Sequence, residues 1–169
     1  LPKKKMKKAI LLFFCSFSFG FAQNQTSVPS TDWKTVPTLT QTGAVKILLR
    51  ATSIAETKNK KFALAVLDAS GNVILMTLAD GVGPHNLEAA RRKAFTAVST
   101  KTPTLLLARK ANSHSDTQNL NTLPELLLLG GGVPIILDDQ VIGSVGIAGA
   151  GGPEQDDAIA QDLVTLFNK

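Results

Sequence analysis

The side chains in this sequence best suited to ligand chemistry are its two histidines. His85 follows Pro84 at the expected start of a helix, in a glycine-containing loop that could present it to a cleft. His114 lies in a polar loop with two serines, an asparagine and an aspartate. A neutral imidazole can act as an axial ligand of an iron centre, although surface histidines of no special role are equally compatible with these positions.

Other catalytic arrangements are not favoured by the residue order. Ser113, His114 and Asp116 are neighbours in the chain, whereas a Ser-His-Asp triad is assembled from distant parts of a fold. The G-x-S-x-G pattern of many hydrolases is absent. The sequence therefore gives no acid-base pair or nucleophile on which to build an enzyme mechanism.

Two glycine-rich segments resemble phosphate-binding loops only superficially. Residues 130–132 lead into a predicted strand rather than a helix and are not followed by Lys-Ser or Lys-Thr, so a turn is expected. Residues 146–152 do precede a helix, but its first turn carries Glu154, Asp156 and Asp157. These acids complement the helix dipole and would repel phosphate; we expect them to be solvated, with a hard-cation site as the alternative.

The first 22 residues have the pattern of a secretory signal peptide. Five lysines precede an apolar run from Ala9 to Phe19, and Gly20-Phe21-Ala22 supplies small residues for cleavage before Gln23. The run is shorter than the roughly 20 residues that span a bilayer. We therefore predict export to a periplasm or the extracellular space, with membrane contact only through the signal.

Removing this segment would change the chemistry of the chain. Its five lysines account for the whole excess of 18 basic over 13 acidic residues, so the remainder is neutral. A nucleic-acid partner, which requires a basic surface, is therefore not expected. The single cysteine, Cys15, also lies in this segment, so a processed chain has no thiol chemistry.

The elements that must position the histidines are predicted from periodicity. Residues 23–38 are polar and proline-containing and suggest a flexible leader, followed by one domain over residues 39–169. Apolar positions spaced as in helices or strands then predict the following order. Helices are expected over about 40–58, after Pro84, over 103–111 and from Pro153, and strands over 61–68, 73–78, 126–129, 133–137 and 141–148.

Paired hairpins between helices predict an α+β domain with an antiparallel sheet covered by helices. Several segments of this domain also resemble the GlcG/HbpS-like family of small haem-associated proteins, which is similar to the C-terminal domain of PduO-type proteins. The matching segments are residues 65–72, 79–81, 89–97, 130–135, 141–150 and 153–156. The resemblance covers nearly all of the chain after the leader.

The resemblance implies a profilin-like fold, homo-oligomers, and haem binding in some members. Haem would be held noncovalently because C-x-x-C-H is absent. His85 would be the iron ligand, with Arg92 or Lys93 near a propionate, although Lys93 could equally be a solvated helix residue. Some relatives use a histidine near the first helix, and no histidine precedes His85 here.

Two alternatives to haem binding stay open at the level of sequence. The first is a binding or assembly module on the same fold that takes a different small molecule. The second is an enzyme that degrades haem. A family scaffold does not by itself fix a function.

Overall fold

The computed structural model describes residues 31–167, so the predicted signal peptide and most of the predicted leader lie outside the described residues. Residues 31–38 contain no helix or strand. One compact unit begins at Thr35. Among the described residues, no helix is both long and apolar enough to cross a membrane.

The first helix, α1, spans Gln41–Lys58 and confirms the predicted amphipathic helix. The Thr40 side chain accepts a hydrogen bond from the Gly43 backbone N–H at 3.2 Å, as expected of an N-cap. Asn59, with φ of 48°, ends the helix in the left-handed conformation. Its buried side chains recur at helical spacing, as the sequence predicts: Ala44, Ile47, Ala51 and Ile54.

Two hairpins form a four-stranded antiparallel sheet. Strands β1 (Ala63–Asp68) and β2 (Val73–Leu78) make the first hairpin, and β3 (Gly132–Leu137) and β4 (Gln140–Ala148) make the second. The strand order is β2-β1-β4-β3, so β1 and β4 are central and β2 and β3 are edges. The first turn is fixed by the Asp68 carboxylate, which accepts 2.8 Å hydrogen bonds from the N–H groups of Ser70 and Asn72.

The remaining helices cover the two faces of this sheet. They are α2 (His85–Thr100), α3 (Thr104–Ser113), the single turn α4 (Ser115–Gln118) and α5 (Pro153–Val164), with short 3-10 turns at Asn119–Thr122 and Thr165–Phe167. One apolar core lies between the sheet and helices α1 and α5, and a second lies between the sheet and α2. The α+β fold class is thereby confirmed.

The predicted short strand over residues 126–129 is wrong. This segment contains no strand, and side chains of α2 hold its backbone instead. The Thr96 hydroxyl accepts a 2.8 Å hydrogen bond from the Leu127 N–H, and the Arg92 guanidinium donates to the Leu126 carbonyl at 2.7 Å. Backbone groups satisfied in this way have no need of a neighbouring strand.

Candidate functional site

The His85 imidazole is exposed at the first position of α2. The ring lies over Gly83, where an added Cβ would stand 3.0 Å from its Cε1. Pro84, at the N-cap, directs the chain into the helix but supplies no side-chain cap. Across residues 31–167, no side chain or backbone group is hydrogen-bonded to either ring nitrogen, so both are available to a ligand.

The second histidine is engaged differently. His114 lies between α3 and α4, and its Nδ1 is 2.8 Å from the Ser113 hydroxyl and 3.4 Å from the Lys110 carbonyl oxygen. This nitrogen is therefore engaged locally, as a donor or as an acceptor according to the tautomer. Of the two histidines, His85 is therefore the better placed to ligate a metal through either nitrogen.

Arg92 lies seven residues after His85 on α2, about two helical turns away. Its guanidinium donates 2.7 Å hydrogen bonds to the carbonyl oxygens of Pro124 and Leu126. The buried Nε has no hydrogen-bond partner among the described residues. Arg92 thus fastens the segment before β3, and a ligand carboxylate would have to compete with two backbone carbonyls for it.

The expectation that Lys93 is a solvated helix residue is wrong. Its side chain is 1% exposed, and its ammonium lies 2.8 Å from the Asp156 carboxylate. The ammonium also donates to the Ile147 carbonyl at 3.0 Å. Lys93 therefore joins α2 to α5 and to the end of β4, and its charge is used inside the protein rather than presented to a propionate.

Of the three acids at the start of α5, Glu154 is exposed as expected, whereas Asp156 and Asp157 are buried. Asp156 is 4% exposed and receives, besides Lys93, a 2.8 Å hydrogen bond from the Ala150 N–H. Asp157 is 9% exposed, and one of its oxygens has no hydrogen-bond partner within the described chain. Burial raises the pKa of Asp157, against the lowering effects of the Gly131 N–H, Gln161, Arg109 and Lys93.

The alternative of a cation site at these acids gains no support. Nowhere in residues 31–167 do three or more His, Cys, Asp or Glu side chains come together in a metal-binding group. Asp156 is already neutralised by Lys93, and a buried charge pair of this kind is a structural contact.

Sequence reasoning missed an apolar groove between α1 and β2. Its volume is about 280 Å³. It is lined by Leu48, Ala51, Thr52, Ala55, Phe62, Leu64, Thr77, Leu78 and Ala79. No sequence motif marks it, because its walls come from α1, β1 and β2, which each follow ordinary core patterns.

A more polar hollow of about 560 Å³ adjoins this groove and shares Ala55, Leu78 and Ala79 with it. Its rim carries two lysines, Lys60 and Lys61, and two acids, Glu56 and Asp80. The Lys60 ammonium donates to the Gln155 side chain at 2.7 Å, whereas Lys61 is exposed. Together, the groove and hollow offer an apolar wall with charged groups at one end, which suits an amphipathic molecule.

The chain is thus a small α+β domain, with a four-stranded antiparallel sheet between helices. The chain belongs to the HbpS-like family: the model described as "Haem degrading protein HbpS-like" matches residues 39–165. This confirms the resemblance drawn from the sequence.

Individual relatives agree with this assignment. The chain is 30% identical over 115 residues to Protein GlcG of Escherichia coli K12, covering 68% of this chain and 84% of that protein. A crystal structure of a double mutant of Streptomyces reticuli HbpS superposes with a TM-score of 0.75 at 30% identity, covering 83% of this chain and 94% of HbpS. A PduOC:haem complex superposes with a TM-score of 0.69 at 25% identity, covering 78% and 96%.

Proposed function

We propose that this protein binds haem noncovalently, with His85 as a ligand of the iron. The observation that carries the proposal is that His85 is exposed with both ring nitrogens free of hydrogen bonds within the described chain. Membership in the HbpS-like family and the haem complex of PduOC support it. Bound haem would supply the iron and its redox chemistry, and the protein would supply the imidazole and an apolar surface.

The α1–β2 groove is a second surface with the apolar character that the macrocycle requires. Haem is a largely apolar plate with two carboxylates on one edge, and the groove pairs an apolar wall with Lys60 and Lys61 at its end. His85 is not among the groove-lining residues. Because the iron lies at the centre of the macrocycle, haem ligated by His85 and haem seated in the groove are alternative binding modes, and the variants below distinguish them.

Export is part of the same proposal. Residues 1–22 have the pattern of a secretory signal, and haem binding outside the cytoplasm fits scavenging or sensing. Cell fractionation combined with mass measurement tests this part. We expect the protein outside the cytoplasm with Gln23 at its N-terminus, and an intact cytoplasmic protein would contradict it.

Hemin titration tests haem binding. We expect a saturable Soret shift at micromolar hemin, and His85→Ala should weaken binding at least about tenfold, roughly 1.4 kcal/mol. His114→Ala is the matched control and should leave the titration unchanged. Thr52→Phe, which fills the groove, should leave the titration unchanged if haem is held at His85, whereas weaker binding would place the macrocycle in the groove.

The outcomes separate the possibilities. Absence of a saturable shift would overturn haem binding, and an unchanged titration for His85→Ala would overturn the assigned ligand. Adding ascorbate to the complex distinguishes binding from breakdown. Loss of the Soret band faster than in protein-free hemin would indicate the degrading activity for which the family is described.

A second candidate is a non-haem amphipathic small molecule in the groove. The observation that favours it is that no His, Cys or Met side chain lines the groove, so nothing there would ligate iron. The fluorescent apolar anion anilinonaphthalene sulfonate is a suitable probe. Enhanced fluorescence that Thr52→Phe abolishes and His85→Ala preserves, without a Soret shift by hemin, would favour this candidate.

A further inference from the structure

Strand β2 is an edge of the sheet whose only usual protection is an irregularity in its pairing with β1, where Val66 pairs with Leu75 and Leu67 with Val73. It pairs with β1 on one side only. Its sequence, VILMTL, contains no charge and no proline, and Val73 and Leu78 at its two ends are 46% and 39% exposed. An uncharged edge strand offers unpaired backbone groups to another strand and is a liability unless it is covered.

The opposite edge, β3, is protected in several ways. Pro134 removes a backbone donor, and proline within a sheet is compatible only with an edge position. The pairing with β4 is irregular between Ile135 and Ile136, a feature that β2 shares in its pairing with β1. The Thr104 hydroxyl occupies the Gly132 N–H at 2.8 Å, and Asp138 directly follows the strand. The two edge strands therefore differ: β3 carries a proline and is followed by a charge, whereas β2 has neither a proline nor a charge.

The hydrogen-bonding pattern of β2 shows which groups are free to pair. The Ala79 N–H donates inward to the Phe62 carbonyl at 3.3 Å. Because N–H groups alternate in direction along a strand, those of Leu78 and Met76 point away from β1. From Leu75 to Leu78 the register with β1 is regular, so this stretch presents an ordinary outward ladder.

We propose that β2 pairs antiparallel with β2 of a second copy of this chain across a two-fold axis, which would continue the sheet through both copies. Two identical strands related by a two-fold axis are antiparallel and expose the same pattern to each other. The absence of charge on β2 supports a second copy of this chain as its partner. All six residues are uncharged, so self-pairing opposes no like charges and buries none without a partner.

The position of the groove adds to this argument. Thr77 and Leu78 of β2 form part of its wall, so a strand added beside β2 would border the groove. The proposal gives a surface to the homo-oligomer that the family resemblance implies, and it does not depend on haem binding.

The test is a charge exchange at the two ends of β2, read as molar mass by light scattering after size exclusion. In antiparallel self-pairing, the start of each strand lies beside the end of its partner, so substitutions at Val73 and Leu78 meet across the interface. The variant Val73→Lys with Leu78→Lys should lower the mass of the assembly at least twofold. The variant Val73→Glu with Leu78→Lys should keep the wild-type mass, because opposite charges then meet.

Ile136→Lys is the matched control, since Ile136 is 46% exposed on the other edge strand. It should not change the mass. A monomeric wild-type protein at micromolar concentration, an unchanged mass for the double-lysine variant, or an equal effect of Ile136→Lys would each overturn the proposal.

A second measurement needs no substitution. Amide hydrogen exchange of Met76 and Leu78 should be slow at high protein concentration and accelerate on dilution. Exchange of these two amides that is fast at every concentration would overturn the proposal even if the variants fail to fold.

Discussion

The two faces of the sheet are packed in different ways. On the α2 face, small residues bring helix and strands into near contact: Ser144 donates a 2.8 Å hydrogen bond to the Ala94 carbonyl, and Gly146 lies directly under Ala90. On the α1 face, larger side chains such as Ile47, Leu64 and Ile147 fill the core and leave a groove at its β2 side. The α2 face is packed closely against the sheet backbone, whereas the α1–β2 side has a groove and an open strand edge.

Gly146→Ala should break the α2 face and produce the largest effect. A Cβ at this position would collide with the backbone carbonyl of Ala90, which cannot move without shifting α2. Overpacking usually costs about 1–3 kcal/mol, and a clash with backbone on both elements should exceed that range. Because a domain this small has a total stability of about 5–15 kcal/mol, the variant should be strongly destabilised or unfolded in urea titration.

Gly81→Ala is the control for this prediction. Gly81 has a φ of 81°, but nothing lies within 4 Å of an added Cβ. The cost should therefore be only that of the left-handed backbone, about 1–2 kcal/mol. Equal losses for the two variants would show that the close approach of α2 is not what makes Gly146 necessary.

The buried ion pair is the next strongest test of the α2 face. Lys93→Met removes the partner of a buried carboxylate and should cost about 3–5 kcal/mol. Adding Asp156→Asn should recover most of that loss, because a neutral amide still accepts from the Ala150 N–H and leaves no buried charge without a counter-ion. Urea unfolding of the single and double variants measures the recovery, and an additive loss would contradict the assignment of the pair.

The burial of Lys93 could not be predicted from the local sequence. It follows two arginines on α2, and nothing local distinguishes it from them; its partner, Asp156, is 63 residues away. Helices and hairpins were predictable because their apolar periodicity and turn residues are local. The buried charge pair and the groove depend on which elements become neighbours, and no single segment carries that information.

The failed strand prediction over residues 126–129 has the same origin. A short apolar run is compatible with a strand, but Thr96 and Arg92 of α2 already satisfy its backbone. His85 was identifiable as a candidate from its loop, whereas its freedom from hydrogen bonds within the described chain became visible only in the fold.

The smallest expected effect concerns how stability depends on pH. The dependence should have opposite signs for Asp157, a buried acid of α5, and Asp68, an acid in the β1–β2 turn. Burial raises the pKa of Asp157 above the ordinary 3.8, so the native state binds its proton more tightly than the unfolded state. The contribution of Asp157 to stability is therefore greatest below pH 3.8 and falls as pH rises through the native pKa. Relative to wild type, Asp157→Asn should gain stability as pH increases over that window.

Asp68→Asn should show the opposite sign. Burial acts to raise the pKa of Asp68, but hydrogen bonds from Asn72, Ser70 and Gly71 outweigh it and hold the pKa below its ordinary value. The stabilisation by this carboxylate is present above the unfolded pKa and is lost as pH falls through the native pKa. Urea unfolding of both variants across the acidic range should give differences from wild type that diverge with pH. If the stability differences of the two variants changed in the same direction with pH, burial at the start of α5 would not control the pKa of Asp157.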